Sequence, residues 1–432
     1  MNQQVFFVGT RAEVQHHAAP LSGQIQYKIV DSADVVAASQ PGDLAIFYSE
    51  HFDRFREAIQ QLKEKNVATL YMIDGILEWR NAWENRGDEP ACPFTMRPVL
   101  AHKVACIGNS QARTLAGWGN GNKVEVVGVP RFDRLAATFR DSNEQEKTTG
   151  NRRLLVMTAK FPAYTPEQEQ RLESSLRDLK SSIEKRPDIE VVWRLTRDWD
   201  KRLGVANNLT DLSGRELAET LSGVDAVVST PSTSILEAML HNLPVTLLDY
   251  NNSPQYVPAA WNVSAADHLD AAIEGVLNPT AEKLLFQRHV LADALQLNSN
   301  AADRMCELIR GMLQVAKTAV SNQTEAQYPA NMLPTVRFGS AADCTFEHAD
   351  YYPEFPEFRI EDRVELQAQL AHARREINHL SAQLEQLQTE LKQAHAIFDE
   401  INSHPIAGPV VRIRRKLASI LEKFRKPTPE PL

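Results

Sequence analysis

The chain has 432 residues, with 47 Lys and Arg against 56 Asp and Glu, a formal net charge of −9. At roughly 100–200 residues per domain this length predicts two or three domains. The acidic balance argues against a whole-chain nucleic-acid binder, and 43% hydrophobic residues are too many for a disordered chain.

Short apolar runs open the chain at Val5–Gly9, Tyr27–Asp31, Leu44–Ser49, Val67–Asp74, Lys103–Gly108 and Lys123–Gly128. Their content of Val, Ile and aromatics predicts strands buried on both faces of a parallel sheet. Between them Phe52, Phe55, Ile59 and Leu62 recur at helical spacing. Strand alternating with helix predicts a doubly wound α/β domain over residues 1–139. Arg140–Arg153 is nearly devoid of apolar residues and reads as a linker. A second strand series follows at Leu154–Thr158, Glu190–Leu195, Asp225–Ser229 and Val245–Tyr250, with helical patterns at Gln168–Glu184 and Ile235–His241. The helical stretch from Ala281 to about Lys317 is expected to close this second α/β domain, 154–320. Two such domains leave a cleft between the carboxyl edges of their sheets, where open α/β sheets bind ligands.

Residues 321–360 carry Pro and aromatic residues without a period and read as an extended linker or strap. In 361–402 the residues Leu366, Leu370, Ala373, Ile377, Leu380, Leu384, Leu387, Leu391, Ala394, Phe398 and Ile401 alternate at spacings of four and three. That period predicts a coiled coil and a homo-oligomer; a long helix docked on the protein's own surface is the other reading. Pro405 and Pro409 end the pattern, and residues 403–432 form a tail. Within it Val410–Lys426 places Val410, Ile413, Leu417, Ile420, Leu421 and Phe424 on one side, opposite seven cations. It suits an anionic membrane surface or, equally, a solvated terminal helix.

Cys92, Cys106, Cys306 and Cys344 form no CxxC pair, and Met1–Thr10 lacks the regions of a signal peptide. No run of about 18 apolar residues predicts a membrane span. Reduced thiols in the cytoplasm are expected, with any membrane contact peripheral on the inner face of the plasma membrane. No metal ligand and no cofactor are assigned.

The strongest local signal is Ser229–Asp249. A strand ends at Ser229, Thr230 to Ser234 make a turn, and a helix begins at Ile235. Unpaired backbone N–H groups at a helix start favour an anion, and the hydroxyls of Ser232, Thr233 and Ser234 can add donors to a diphosphate. Glu237, one turn in, can accept from ribose hydroxyls. The competing reading is an ordinary hydroxyl N-cap. Lys160 and Arg194, at the carboxyl ends of the first two strands of the second domain, can neutralise a diphosphate leaving group; surface ion pairs with Asp198 or Asp200 are the alternative. A base for an acceptor hydroxyl is expected on the first domain's side of the cleft, where Asp74 is the first candidate and Glu78 the second, with Asp74 capping a turn as the plainer reading.

The segment from Ser229 to Tyr250 resembles the nucleotide-binding motif of GT-B glycosyltransferases: a Ser/Thr-rich turn, a Glu-Ala helix, and an Asn-x-Pro strand entry. Ile107–Leu135 is similar to the end of the first domain in surface-polysaccharide transferases and the CDP-glycerol glycerophosphotransferase group, matching at Trp118, Gly119, Lys123, Val124, Val126, Gly128, Pro130, Arg131 and Asp133. Gly9-Thr10-Arg11-Ala12-Glu13 resembles the opening segment of UDP-GlcNAc 2-epimerases, whose Arg in this loop approaches the nucleotide sugar, which points to Arg11. Where those enzymes have a Gly-containing turn before the Glu helix, this chain has Thr230-Pro231-Ser232-Thr233-Ser234. The resemblance covers residues 1 to about 317. It implies two Rossmann-like domains in the GT-B arrangement, an N-terminal acceptor domain and a C-terminal nucleotide-donor domain. The implied function is a metal-independent glycosyltransferase moving a sugar, or a related activated group, from a nucleotide donor to a glycan or lipid-linked acceptor. Two alternatives stand beside it, an epimerase acting on a nucleotide sugar and a non-catalytic coiled-coil scaffold.

Overall fold

The structure is a computed structural model. It describes residues 3–73, 75–83, 96–141, 152–206, 208–209 and 214–334, together with 377, 380–381, 383–384, 386–396 and 410–423. The chain divides into two compact units, Met1–Glu354 and Phe355–Leu432.

The first unit contains two lobes. In the first lobe β1 (Val5–Val8), β2 (Lys28–Val30), β3 (Leu44–Phe47), β4 (Ala68–Met72), β5 (Lys103–Cys106) and β6 (Val124–Val126) form a parallel sheet in the order β2-β1-β3-β4-β5-β6. Its helices are α1 (Arg11–Ala18), α2 (Val35–Ala38), α3 (Asp53–Glu64), α4 (Trp79–Trp83) and α5 (Asn109–Leu115). In the second lobe β7 (Arg152–Met157), β8 (Ile189–Arg194), β9 (Ala226–Ser229), β10 (Val245–Leu248) and β11 (Trp261–Val263) form a parallel sheet in the order β11-β10-β9-β7-β8. Helices α6 (Asp133–Asp141), α7 (Pro166–Glu184), α8 (Trp199–Leu203), α9 (Gly214–Leu221), α10 (Ser234–Leu240), α11 (Leu269–Leu277), α12 (Ala281–Ala294) and α13 (Ala301–Asn322) complete the unit. In each sheet the first strand lies between the second and third. The strand order therefore reverses between β1 and β3 and again between β7 and β9, and such a switch point opens a crevice at the carboxyl edge.

Strands β1 and β3 are buried at every residue because both faces of the sheet are covered. Phe6, Val8, Ala45 and Phe47 pack with Phe55, Ile59 and Leu62 of α3 on one face. Val5, Phe7, Leu44 and Ile46 pack on the other face with Val14 and Ala18 of α1 and with Met305, Ile309 and Met312 of α13. This second face corrects the sequence reading that the helical stretch after Ala281 closes the second lobe throughout. Helix α12 stays with the second lobe through Val290 and Leu291, but α13 returns to the first, where one side of the sheet has only short α1 to cover it.

Two chain crossings lie side by side at this junction. The Asp133 carboxylate accepts from Ala301 N at 2.7 Å and Ala302 N at 2.9 Å, capping α13. Gly128, at φ +99°, brings the outgoing chain so near that a Cβ there would meet Ala301 Cβ at 2.8 Å. Past Asp133 the chain already belongs to the second lobe, Ala136 packing with α10 in its core. The expected linker Arg140–Arg153 is shorter at both ends, since α6 runs to Asp141 and β7 starts at Arg152; its middle lies outside the described residues.

The strap after α13 returns along the first lobe. Lys103 Nζ meets Glu125 Oε1 at 2.6 Å with both side chains buried, and donates to Pro329 O at 2.9 Å, while Glu125 accepts from Met332 N at 2.8 Å and Leu333 N at 3.1 Å. A buried pair of this kind fixes the path of the strap by satisfying backbone groups that burial would otherwise orphan.

In the second unit the described positions between 377 and 396 are helical, and Ile377, Leu380, Leu384, Leu387 and Leu391 are 50–61% exposed. A further helix spans Val410–Lys423. The rest of the expected coiled coil and tail lies outside the described residues. Among the described residues no helix is long and apolar enough to cross a membrane.

Candidate functional site

The crevice at the β7–β9 switch point is built from the loops after three strands. Buried hydroxyls tie these loops together. Thr158 Oγ1 and Thr196 Oγ1 lie 3.0 Å apart, Thr196 Oγ1 donates to Ala159 O at 2.7 Å, and Ala159 N donates to Thr230 Oγ1 at 2.8 Å. Lys160 follows this knot on the surface, and the bend Pro231–Ser234 lies beside it.

The bend differs from the sequence expectation of free donors. Ser232 Oγ and Ser234 Oγ face each other at 3.0 Å, and Ser234 N donates to Ser232 Oγ at 3.3 Å. Ile235 N donates to Ser232 O and Leu236 N to Thr233 O, so the helix start closes as a tight turn that uses its own N–H groups. Thr233 Oγ1 accepts from Ile76 N of the first lobe at 3.2 Å. Gly75 permits this approach: a Cβ there would sit 2.2 Å from the Thr233 hydroxyl. The bend is half-buried and faces the opposite lobe; the N–H groups of Ser234, Ile235 and Leu236 are used within it, and the Thr233 hydroxyl is engaged as an acceptor.

That opposite lobe contributes Arg80, which sequence reasoning missed. Arg80 is 5% exposed and reaches across to donate to Phe161 O at 3.4 Å, Pro162 O and Pro231 O at 3.3 Å, while its other partner is the Glu78 carboxylate. Its guanidinium also lies 5.6 Å from the Tyr164 ring. Burial raises the Glu78 pKa, Asp249 adds to that, and Arg80 opposes it without reversing it. Tyr164 is pushed up to about 12, chiefly by burial and then by Glu78. The segment Ile76–Arg80 fills the crevice so fully that the cavity left against Pro231, Asp249 and Gln255 holds about 10 Å³. Asp74, the first base candidate, lies outside the described residues.

Helix α10 turns Glu237 toward a second cation from the junction. Arg131 Nη1 lies 3.5 Å from Glu237 Oε1, with the two side chains 27% and 15% exposed. Burial raises the Glu237 pKa; Arg131 and then Arg194 pull it back. Arg194, at the end of β8, is 8% exposed, so of the two expected diphosphate cations only Lys160 stands on the surface. Arg131 belongs to the Pro130-Arg131-Phe132-Asp133 segment that the sequence singles out, but its partnership with a residue 106 positions away is a product of the fold.

Arg11 lies elsewhere, at the carboxyl end of β1. There it lines an open groove of about 460 Å³ with Thr10, Gln15, Tyr27 and Asp31. Glu13 closes the adjoining turn: burial works to raise its pKa, but hydrogen bonds from Thr10 and Tyr48 and the Arg54 charge, 3.1 Å away, hold it below the usual range. Asp198-Trp199-Asp200 has the spacing of an Asp-x-Asp motif, yet Asp198 is paired with Lys201 at 2.6 Å. Among the described residues no three His, Cys, Asp or Glu side chains gather around one point as metal ligands would.

No protein-family model and no curated protein matches the chain. Solved structures do resemble it. The UDP-GlcNAc 2-epimerase of Methanocaldococcus jannaschii, in complex with UDP-GlcNAc and UDP, aligns at a TM-score of 0.50 and 12% identity over 72% of this chain and 99% of that one. Staphylococcal MnaA (S. aureus), in a co-structure with UDP, gives 0.50 and 12% over 73% and 97%. The wall teichoic acid polymerase TagF gives 0.46 and 7% over 74% and 90%, and only the first two bear on the architecture. The chain thus has the two-lobed, GT-B-like α/β fold of these enzymes.

Proposed function

We propose that the chain is a metal-independent GT-B-type transferase that moves a sugar, or a related activated group, from a nucleotide donor to a glycan or lipid-linked acceptor. The observation that carries this reading is Glu237 beside the second lobe's switch point, 3.5 Å from Arg131 and within the electrostatic reach of Arg194. A half-buried carboxylate with cations nearby suits a ligand that offers both hydroxyls and phosphate. Ribose hydroxyls would take Glu237 in place of Arg131, leaving the guanidinium for the diphosphate. Ser232, Thr233 and Ser234 would join once the segment Ile76–Arg80 withdraws. On the first lobe Asp74 or Glu78 would take the acceptor proton, and a carboxylate with a raised pKa is better matched to that task. The coiled coil over 361–402 would join copies of the chain, and the basic helix would bring them to an anionic membrane surface. Calorimetry or thermal shift with UDP, CDP, GDP and TDP tests the core of the reading: one of them binds, and Glu237→Ala weakens it about tenfold. Absence of any binding overturns it.

A nucleotide-sugar 2-epimerase is the second reading. It is favoured by the Gly9–Glu13 turn, with Arg11 at its groove, and by a UDP-GlcNAc 2-epimerase in complex with UDP-GlcNAc and UDP among the structural neighbours. Incubation with UDP-GlcNAc alone separates the two, because an epimerase changes the sugar without an acceptor.

A further inference from the structure

Outside the filled crevice, the carboxyl edge of the second sheet carries a cationic, aromatic platform. Phe161 is 37% exposed, and the other large apolar side chain exposed among the described residues of the two lobes is Leu285. An Arg197 guanidinium lies 3.9 Å from the centre of the Phe161 ring, and Lys160 Nζ lies 5.9 Å from it. Neither cation has a carboxylate partner among the described residues; the nearby Asp198 is taken by Lys201. Arg197 and Asp198 follow each other at φ 52° and 59°, a left-handed pair that side-chain-bearing residues rarely adopt. This backbone sets Arg197 over the ring. The hydroxyl knot Thr158–Thr196–Ala159–Thr230 fixes the two loops from below, so the platform is built in advance of any ligand.

We propose that Lys160, Phe161 and Arg197 dock a phosphoryl-bearing ligand at the lip of the cleft. One ammonium and one forked guanidinium beside the same ring can share the oxygens of a tetrahedral anion, and the ring takes the flat or apolar group next to it. The two cations stand at the carboxyl ends of β7 and β8, the edge where open α/β sheets hold ligands. Only the choice of a nucleotide as that ligand rests on the function proposed above; the phosphoryl chemistry rests on the platform itself.

The full chain is titrated by calorimetry with the four nucleoside diphosphates, inorganic pyrophosphate and glycerol 3-phosphate. The variants are the Lys160→Ala, Arg197→Ala pair and Phe161→Ala; all three side chains are exposed, and thermal unfolding checks that the variants stay folded. The pair weakens whichever phosphoryl ligand binds by about tenfold or more. Phe161→Ala weakens a nucleoside diphosphate several-fold and leaves pyrophosphate unchanged if the ring meets the base. Nucleotide binding that is equal in wild type and the paired variant overturns the platform and spares the nucleotide reading. Pyrophosphate or glycerol phosphate binding that needs the pair, without nucleotide binding, supports the platform and overturns the nucleotide reading. Binding of none of these probes overturns both.

Discussion

Replacing Arg80 by Met tests whether the two lobes are latched together through one side chain. Met keeps much of the length and removes the charge and every donor. Arg80 is 5% exposed, and its loss leaves Glu78 buried without its counter-charge and three carbonyls of the second lobe without a donor. Breaking a buried pair in this way costs about 3–5 kcal/mol. The cost is recovered in part by adding Glu78→Gln, so a double-mutant cycle yields a coupling of about 2–3 kcal/mol. Burial holds the Glu78 pKa above its unfolded value, so the folded state binds a proton more readily, and stability falls as pH rises through the interval between the two pKa values. Arg80 is the main influence lowering that pKa, and without it the interval extends upward. The Arg80→Met defect is therefore larger near pH ~8 than near pH ~5. Urea unfolding measures the stability, and hydrogen exchange locates the loss, which must include the loops after β7 and β9. A defect under about 1 kcal/mol, or faster exchange confined to residues 76–83, refutes the latch.

Four further outcomes are expected. Gly75→Ala drives a methyl into the Thr233 hydroxyl and separates the lobes, raising the radius of gyration in solution scattering; Thr233→Ala added to it restores the wild-type value. Lys103→Met strands Glu125 inside the first lobe, costs about 3–5 kcal/mol in denaturant unfolding, and frees the segment around Tyr328–Leu333 for limited proteolysis. The coiled coil proposed for 361–402 predicts an oligomeric wild-type chain in sedimentation, and a monomer once Leu384→Asp with Leu387→Asp places charge on the exposed apolar stripe of the second unit. Arg131→Gln removes a charge that lowers the Glu237 pKa, so nucleotide affinity falls and the midpoint of its pH dependence moves up.

Most strands of both sheets were legible because a strand buried on two faces must be a short, continuous apolar run, as Phe6-Phe7-Val8 and Val227-Val228 are; β2, expected to be buried likewise, is an edge strand with Lys28 exposed and Ile29 and Val30 half-buried. β11 was not legible, since Trp261-Asn262-Val263 offers three residues and one of them is polar. Periodicity identified α13 as a helix but not the sheet it covers, because an apolar stripe fits any uncovered face of matching width; the packing of Met305 and Ile309 against Phe7 is decided by chain crossing, which no local pattern encodes. Within the site, hydroxyls and charged residues at strand ends could be read from Ser229 to Glu237. Their partners could not. Arg80 binds backbone carbonyls more than 80 positions away, and such acceptors exist at every residue, so the sequence carries no mark of them. A buried-looking Glu78-x-Arg80 pair beside two Trp was the available signal.

The junction segment Gly128–Asp133 ties the crossing between the lobes to the candidate site. Gly128 lets the outgoing strand touch the incoming helix, Asp133 caps that helix, and Phe132 sits in the second lobe's core. Arg131 lies between these fixed points, with the Glu237 carboxylate 3.5 Å from its tip. Phe132 and helix α10 share the second lobe's core, so the Arg131–Glu237 pair is held by that lobe one residue from the crossing. At the far side of the same cleft, Arg80 and Thr233 hold the lobes closed. A ligand that entered between the lobes as proposed would have to displace the Ile76–Arg80 segment, and the free energy of breaking those contacts would come off its affinity. By linkage, a substitution that weakens those contacts would tighten such a ligand by the same free energy.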